Sequence, residues 1–387
     1  MNELYSKYLT ALNHPSVPVL FLDQDALNKN LEWIKSNAGN KKIRIATKSI
    51  RSVEILKIIL ESDAVFQGLM TFDLREALWL RSLGFKDILM GYPTVDSDSI
   101  EELLKDPRGI TLMVDRPEHL EFLEKKAQAT NYNLNICLDI DLSMDLPGLR
   151  FGVYRSWVNS TLRLEKFLEK LKTSPHLKLT GLMGYEAQIA GVMDKESRVI
   201  QALKKLSIRQ LQSRRENFLE KILSQGHILE LINGGGTGSL IETSKESVVT
   251  EVTVGSGIYS PVLFDHYKDF SLTPALAFTL PIVRRPEDGI FTCLGGGYIA
   301  SGSVDVIKQP TPYLPIETKL LKHEGAGEVQ TPVKYTGQVK LQIGDSIIFR
   351  HAKAGEICER FDEIKIIKSG KTVLSVPTYR GMGKTFI

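Results

Sequence analysis

Short β-branched runs alternate with amphipathic stretches along the first two thirds of the chain. Runs at 43–47, 64–70, 87–91, 110–115, 133–140, 177–183, 228–232 and 249–254 are each apolar, brief and bounded by turn-forming or charged residues. That pattern predicts eight buried strands. Between them lie helical patterns. Residues 51–62 place Val53, Ile55, Leu56, Ile58, Ile59 and Leu60 around an apolar stripe, and 73–83 starts at Asp73, a residue suited to cap a helix. Further amphipathic stretches occupy 116–129 and 195–225. Strands alternating with helices in this number predict a (β/α)8 TIM barrel, with an open doubly wound sheet as the alternative.

The period changes after about Tyr267. Runs at 278–283, 338–343, 346–349 and 363–367 alternate apolar and polar positions, and Gly and Pro separate them. They predict an antiparallel β domain. The early run 17–22 is also strand-like and precedes the barrel pattern, so it is expected to add to that same domain. The organisation expected is an N-terminal segment 1–22 joining the β domain, a barrel over 23–270, and a C-terminal β domain over 271–387.

Composition narrows the classes. Lys and Arg number 49 against 46 Asp and Glu, a balance that lacks the basic excess of a polyanion binder. The three cysteines, Cys137, Cys293 and Cys358, form no disulfide framework and no CxxC pair, which fits a reducing cytoplasmic setting. No apolar run approaches the ~20 residues of a spanning helix. The first residues lack the basic-then-apolar pattern of a secretory signal. Neither nucleic acid nor membrane is an expected partner.

Chemistry concentrates at the predicted carboxyl ends of strands, where barrels place their active sites. Lys48 ends the first run, in Thr47-Lys48-Ser49. A partly desolvated lysine there is a nucleophilic amine suited to a Schiff base, although a solvated strand-end lysine would look the same. After the seventh run comes Asn233-Gly234-Gly235-Gly236-Thr237-Gly238-Ser239, and after the eighth Gly255-Ser256-Gly257-Ile258-Tyr259. Glycines let backbone amides converge on an anion, and barrel phosphate sites use these two loops. No Gly-Lys-Ser/Thr closes either loop as in a P-loop. An amine anchor and a phosphate grip together point to pyridoxal 5'-phosphate.

At this point the chain resembles the fold-type III pyridoxal-phosphate enzymes, the alanine racemase-like barrels. The nearer likeness is to the D-threonine aldolase and D-serine dehydratase branch. The likeness rests on Thr47-Lys48-Ser49, Gly184-Tyr185-Glu186, Gly234-Gly235-Gly236-Thr237-Gly238 and the segment from His351 to Glu363. It implies Lys48 as the cofactor lysine. Gly235, Gly236, Thr237, Ser256, Gly257 and Tyr259 are implied around the phosphate. Arg150, in Gly148-Leu149-Arg150-Phe151-Gly152, is implied near the cofactor ring or the substrate carboxylate. Tyr185 is implied close to the lysine, with Gln188 a weaker candidate. The family also implies a homodimer with shared active sites.

One departure stands out. The branch resembles a metal-using group with a His followed two residues later by Cys or Asp, and this chain reads His351-Ala352-Lys353. An ammonium offers no lone pair, so no divalent metal is expected; a site using His351 with Cys358 is the alternative. His351 and Lys353 are then expected to act on a substrate hydroxyl. The activity implied is a lyase, aldolase or dehydratase, on a β-hydroxy D-amino acid. The alternatives are an amino-acid racemase and a non-catalytic pyridoxal-phosphate protein.

Overall fold

The computed structural model describes residues 2–130 and 132–387. They form two compact units. A barrel unit comprises Ile34–Lys48, Ile58–Gly255 and Phe386–Ile387, and a β unit comprises Met1–Trp33, Ser49–Lys57 and Ser256–Thr385.

In the barrel unit, Lys42–Ala46, Phe66–Thr71, Ile88–Met90, Ile110–Val114, Leu134–Asp139, Leu177–Gly184, Leu231–Gly234 and Glu251–Val254 form a closed parallel barrel. Closure is direct: Val254 lies opposite Ile45 and Glu251 opposite Lys42. That pairing removes the open-sheet alternative. One interior layer is apolar, with Leu89, Met113, Cys137 and Met183 buried together. Another is polar. The buried Arg44 donates to Glu251 at 2.7 and 2.9 Å, and Asn233 donates to Glu251 and Thr253 at 2.8 Å each. Gly68 sits at φ +72°, and a Cβ there would come within 2.5 Å of Arg44 Nη1, so the arginine needs a glycine opposite.

The helices follow their caps. Asp73 accepts from the Arg75 amide to start Leu74–Ser82, as expected from sequence, and Ser160 accepts from Arg163 to start Thr161–Lys172. The latter helix, which the strand-run reading passed over, buries Leu164, Phe167, Leu168 and Leu171. The seventh strand needs correction. It was expected at 228–232 and runs Leu231–Gly234. Ile228 is exposed, whereas Asn233 turns its amide inward to Glu251, so a polar residue holds the strand where apolarity alone would not.

The β unit is built on a nine-stranded sheet. Val19–Asp23 lies in its middle, antiparallel to Leu276–Glu287 and parallel to Glu363–Lys368. The sheet is therefore antiparallel apart from that one pairing, among the described residues. The expected strand at 338–343 is absent: this stretch is a turn region before Ser346–Arg350. Its alternating pattern ends in Gly344, at φ +99°, and only Leu341 is buried. Ahead of the first strand, the helix Asn2–Ala11 buries Tyr5, Tyr8 and Leu9, and Tyr8 donates to Asp23 at 2.7 Å.

Candidate active site

Lys48 sits in the short turn Thr47–Ser49 directly after the strand Lys42–Ala46. It is half-buried, and its Nζ lies 2.9 Å from Tyr92 Oη. Tyr92 follows the strand Ile88–Met90, so it too stands at a carboxyl end of the barrel. Sequence reasoning missed it. The Gly91-Tyr92-Pro93 segment has no pattern beyond its place after a strand, and that place was the available clue.

Tyr185 follows the strand Leu177–Gly184. Burial pushes its phenol up to about 12, and the Arg155 cation partly offsets this. The Arg155 guanidinium stands over the Tyr185 ring at 5.2 Å. Gly236 is on the other loop that touches this ring. A Cβ on Gly236 would lie 3.2 Å from Tyr185 Cε2 and 3.0 Å from Ala190 Cβ. Tyr185, Ala190 and the glycine turn thus form one tight corner of the barrel unit.

The glycine turn is held from below by a buried ion group. Glu186 and Glu246 both pair with Arg215, which is fully buried. Glu186 Oε2 also accepts from the Gly235 amide at 2.7 Å. Gly235 has φ +90°, and a Cβ on Gly234 would come within 2.9 Å of Arg215 and Glu186. The first two glycines are therefore spent on turning over the ion group. Gly236 donates to Ser239 at 3.1 Å, and Thr237 opens the turn Thr237–Ser239. The Gly235 amide has its partner inside the protein, which the sequence did not reveal.

Arg150 lies in a small hairpin, Met144–Leu146 with Leu149–Phe151. Its guanidinium pairs with Asp141, with Asp145 at 3.1 Å and with the Val153 carbonyl at 3.0 Å. Gln188 is buried and donates to the Leu142 carbonyl and Ser207 at 2.8 Å each, a packing role. Asp139 ends the strand Leu134–Asp139. Burial and the neighbouring Asp115 push its carboxyl up to about 8, and Arg155 works against them. Neither Asp139 nor Arg155 carried a motif that would single it out.

The β unit holds the remaining candidates. The turn Ser256–Tyr259 begins at the residue after Gly255, and Ser256 Oγ lies 3.3 Å from Ser49 Oγ. Tyr259 is fully buried and donates to the Ile50 carbonyl at 3.0 Å, so its hydroxyl is engaged within the protein. His351 follows the strand Ser346–Arg350. It is 3% exposed, and neither ring nitrogen has a hydrogen-bond partner. Burial, then the Arg350 charge, pull it down to about 3; the Leu276 backbone approaches without closing a bond of normal geometry. The imidazole is neutral, with one ring N–H and one lone pair, neither in a hydrogen bond of normal geometry. It lines a cavity of about 230 Å³ with Tyr298, Lys353, Glu356 and Arg360. Lys353 Nζ lies 3.3 Å from Ser301 Oγ and 3.5 Å from Glu356.

The side chains around His351 are engaged with one another. Lys353 is paired with Glu356, and Glu356 is tied to Ser301. Cys358 is buried, lies 3.6 Å from the Ile50 carbonyl and has its thiol pushed up to about 12, so it is no thiolate.

Residues 22–261 match the family described as alanine racemase, N-terminal domain. The chain belongs to that family. It is thus a fold-type III pyridoxal-phosphate barrel, as the motifs implied. Among curated proteins it is 25% identical over 244 residues to 3-hydroxy-D-aspartate aldolase of Paracoccus denitrificans (strain Pd 1222), covering 62% of this chain and 59% of that protein. A second 3-hydroxy-D-aspartate aldolase of Paracoccus denitrificans is 24% identical over the same length. The chain therefore spans about three fifths of the length of these curated relatives.

Solved structures extend the fold match. D-threonine aldolase from Filomicrobium marinum has a TM-score of 0.79 at 18% identity, covering 95% of this chain and 96% of that one. D-threo-3-hydroxyaspartate dehydratase from Delftia sp. HT23 has 0.75 at 17%, covering 93% and 97%. Alanine racemase of Clostridium difficile 630 has 0.65 at 17%, covering 93% and 98%. At these identities the likeness is one of fold. The barrel of this alanine racemase-like chain suits pyridoxal phosphate on two observations. An amine stands at the end of one strand beside a tyrosine, and the glycine turn with Thr237 stands at the end of another.

Proposed function

We propose that the protein is a pyridoxal-phosphate lyase, an aldolase or dehydratase, acting on a β-hydroxy D-amino acid. The observation that carries this reading is the half-buried Lys48 amine at a barrel strand end, 2.9 Å from Tyr92. The names of the curated relatives and the fold neighbours support the choice of substrate class.

Lys48 would hold the cofactor through its amine. In the barrel unit the turn at Thr237, after Gly236, would receive the phosphate; in the β unit Ser256 and Gly257 are the corresponding candidates. When bound, pyridoxal phosphate supplies an electron sink for the bonds at Cα of an amino acid. The chain's own residues do the rest. Tyr92 orients the Lys48 amine and shares its proton. Tyr185, a neutral phenol, donates from the corner beside Gly236. Neutral His351 accepts the proton of a substrate hydroxyl at an open ring nitrogen. Lys353 supplies a fixed positive charge in the same cavity, where a metal would otherwise stand.

A homodimer in the cytoplasm completes the reading. Ile299, Val304 and Val306 expose apolar surface on one loop of the β unit, which suits contact with a second copy. Borohydride reduction and peptide mapping test the anchor: the label is expected on Lys48, and a label on another lysine would overturn it. Incubation with D- and L-amino acids, assaying aldehyde, oxoacid and enantiomer together, tests the reaction. Racemised product alone would replace the lyase by a racemase. Exhaustive chelation is expected to leave turnover unchanged; activity lost on chelation and restored by metal would reverse the reading of Lys353.

A further inference from the structure

We propose that Arg155, a residue that no motif marks, binds the carboxylate of the substrate at the rim of the barrel unit. The inference rests on the lyase reading for the identity of the substrate, but its geometry is independent of it.

The two arginines of the 150–155 segment have opposite surroundings. Arg150 is neutralised. Asp141 and Asp145 take its charge, the Val153 carbonyl takes a further N–H, and its face lies on the Tyr154 ring at 4.5 Å. An anion approaching Arg150 must displace a carboxylate. Arg155 is exposed, and no hydrogen bond or ion pair engages it among the described residues. Its guanidinium stands over the Tyr185 ring, 5.2 Å away, and its charge acts on Asp139. A guanidinium over a ring uses its face and keeps its edge donors, which are the ones that grip a carboxylate in bidentate fashion.

The acids nearby do not cancel that charge. Asp115 Oδ2 accepts from the Trp157 amide at 3.1 Å, while its Oδ1, 3.0 Å from His119 Nδ1, has no hydrogen-bond partner. Asp141 belongs to Arg150 and the Ser143 amide. Asp139 is the remaining one, and burial, then the charge of Asp115, push its carboxyl up to about 8 against the pull of Arg155. An unneutralised cation is thus set on the aromatic ring that packs beside Gly236. Tyr185 fixes its height and direction, and the ligand class that matches it is a small carboxylate.

The test uses the holoenzyme and two probes, D-threonine as substrate and D-malate as a non-reacting carboxylate. Arg155→Met is expected to raise the KM for D-threonine and the calorimetric Kd for D-malate by ~10–100-fold, with kcat changed less than KM. Arg155→Lys is expected to recover part of both. An unchanged visible cofactor band shows that fold and cofactor persist, and the exposed position favours that result. Arg150→Met serves as the comparison. Unchanged KM and Kd in Arg155→Met, with both raised in Arg150→Met, would overturn the proposal while leaving the lyase reading intact. Arg155-dependent D-malate binding in a protein that cleaves no β-hydroxy amino acid would support the site and sink the lyase reading.

Discussion

The barrel unit and the β unit each carry one titratable group that is neutral against its nature. In the barrel unit Asp139 keeps its proton, because burial and the acids around it raise its carboxyl to about 8. In the β unit His351 has lost its proton, because apolar burial and Arg350 lower it to about 3. The first stands among charges, two aspartates and Arg155. The second has no hydrogen-bond partner at either nitrogen. The difference separates two uses of buried polarity. In the barrel, charge is paired and fixes backbone, as Arg215 does under the glycine turn. In the β unit, a neutral imidazole beside a cavity keeps both ring nitrogens buried and without a hydrogen-bond partner.

That contrast can be broken most severely at His351. His351→Ala is expected to lower kcat by ~100- to 10,000-fold while the cofactor band stays. Asp139→Asn, which keeps a neutral side chain of the same shape, is expected to change kcat by only a few fold. Comparable losses in the two variants would end the distinction between proton acceptor and neighbour. Stability should rank them the other way. Arg215→Met strands two buried carboxylates and is expected to cost about 3–5 kcal/mol in urea unfolding. His351→Leu removes a buried polar group that has no partner, so its unfolding curve should lie at or above wild type.

A smaller effect is expected at the glycine corner. Gly236→Val forces side-chain atoms against Ala190 and Tyr185. Overpacking of this kind costs about 1–3 kcal/mol, so cofactor affinity should fall ~10-fold or more by spectral titration. The smallest effect is the most diagnostic. Asp139 binds its proton more tightly folded than unfolded. Its contribution is complete below the ordinary carboxyl value of 3.8 and is lost as pH rises toward about 8. His351 is the reverse: its contribution is complete above 6.5 and is lost as pH falls toward about 3. Melting temperature against pH should therefore decline on both flanks. Asp139→Asn should flatten the alkaline flank alone, and His351→Leu the acid flank alone.

Much of this architecture was legible because its pattern is local. Each barrel strand is a short apolar run, so their number and order could be counted. Lys48 and the glycine turns were visible because their place relative to strands is fixed along the chain. What stayed hidden depends on partners far apart in sequence. Whether Arg150 or Arg155 is neutralised turns on Asp141 and on Asp145, the latter in a hairpin that has no strong strand pattern. The Gly235 amide is consumed by Glu186, 49 residues away. Tyr92 is one tyrosine among twelve until Lys48 is placed beside it. The run 338–343 failed for the complementary reason: alternation makes a strand only when a neighbouring edge is there to pair with it.

The middle strand of the β unit has a consequence for how the chain is made. Val19–Asp23 pairs on one side with Leu276–Glu287 and on the other with Glu363–Lys368. Both neighbours leave the ribosome hundreds of residues after it does. At roughly 5–20 residues per second, that is a delay on the order of tens of seconds. Throughout that time a nascent chain carries an apolar strand with two open edges, in the sequence Val19-Leu20-Phe21-Leu22. The barrel, by contrast, closes as soon as Glu251–Val254 is available to Lys42–Ala46. Cellular folding should therefore proceed barrel first, with the early strand held by a chaperone until its partners arrive. Shortening the delay by moving residues 1–23 to follow Ile387 in a circular permutant should lower that dependence.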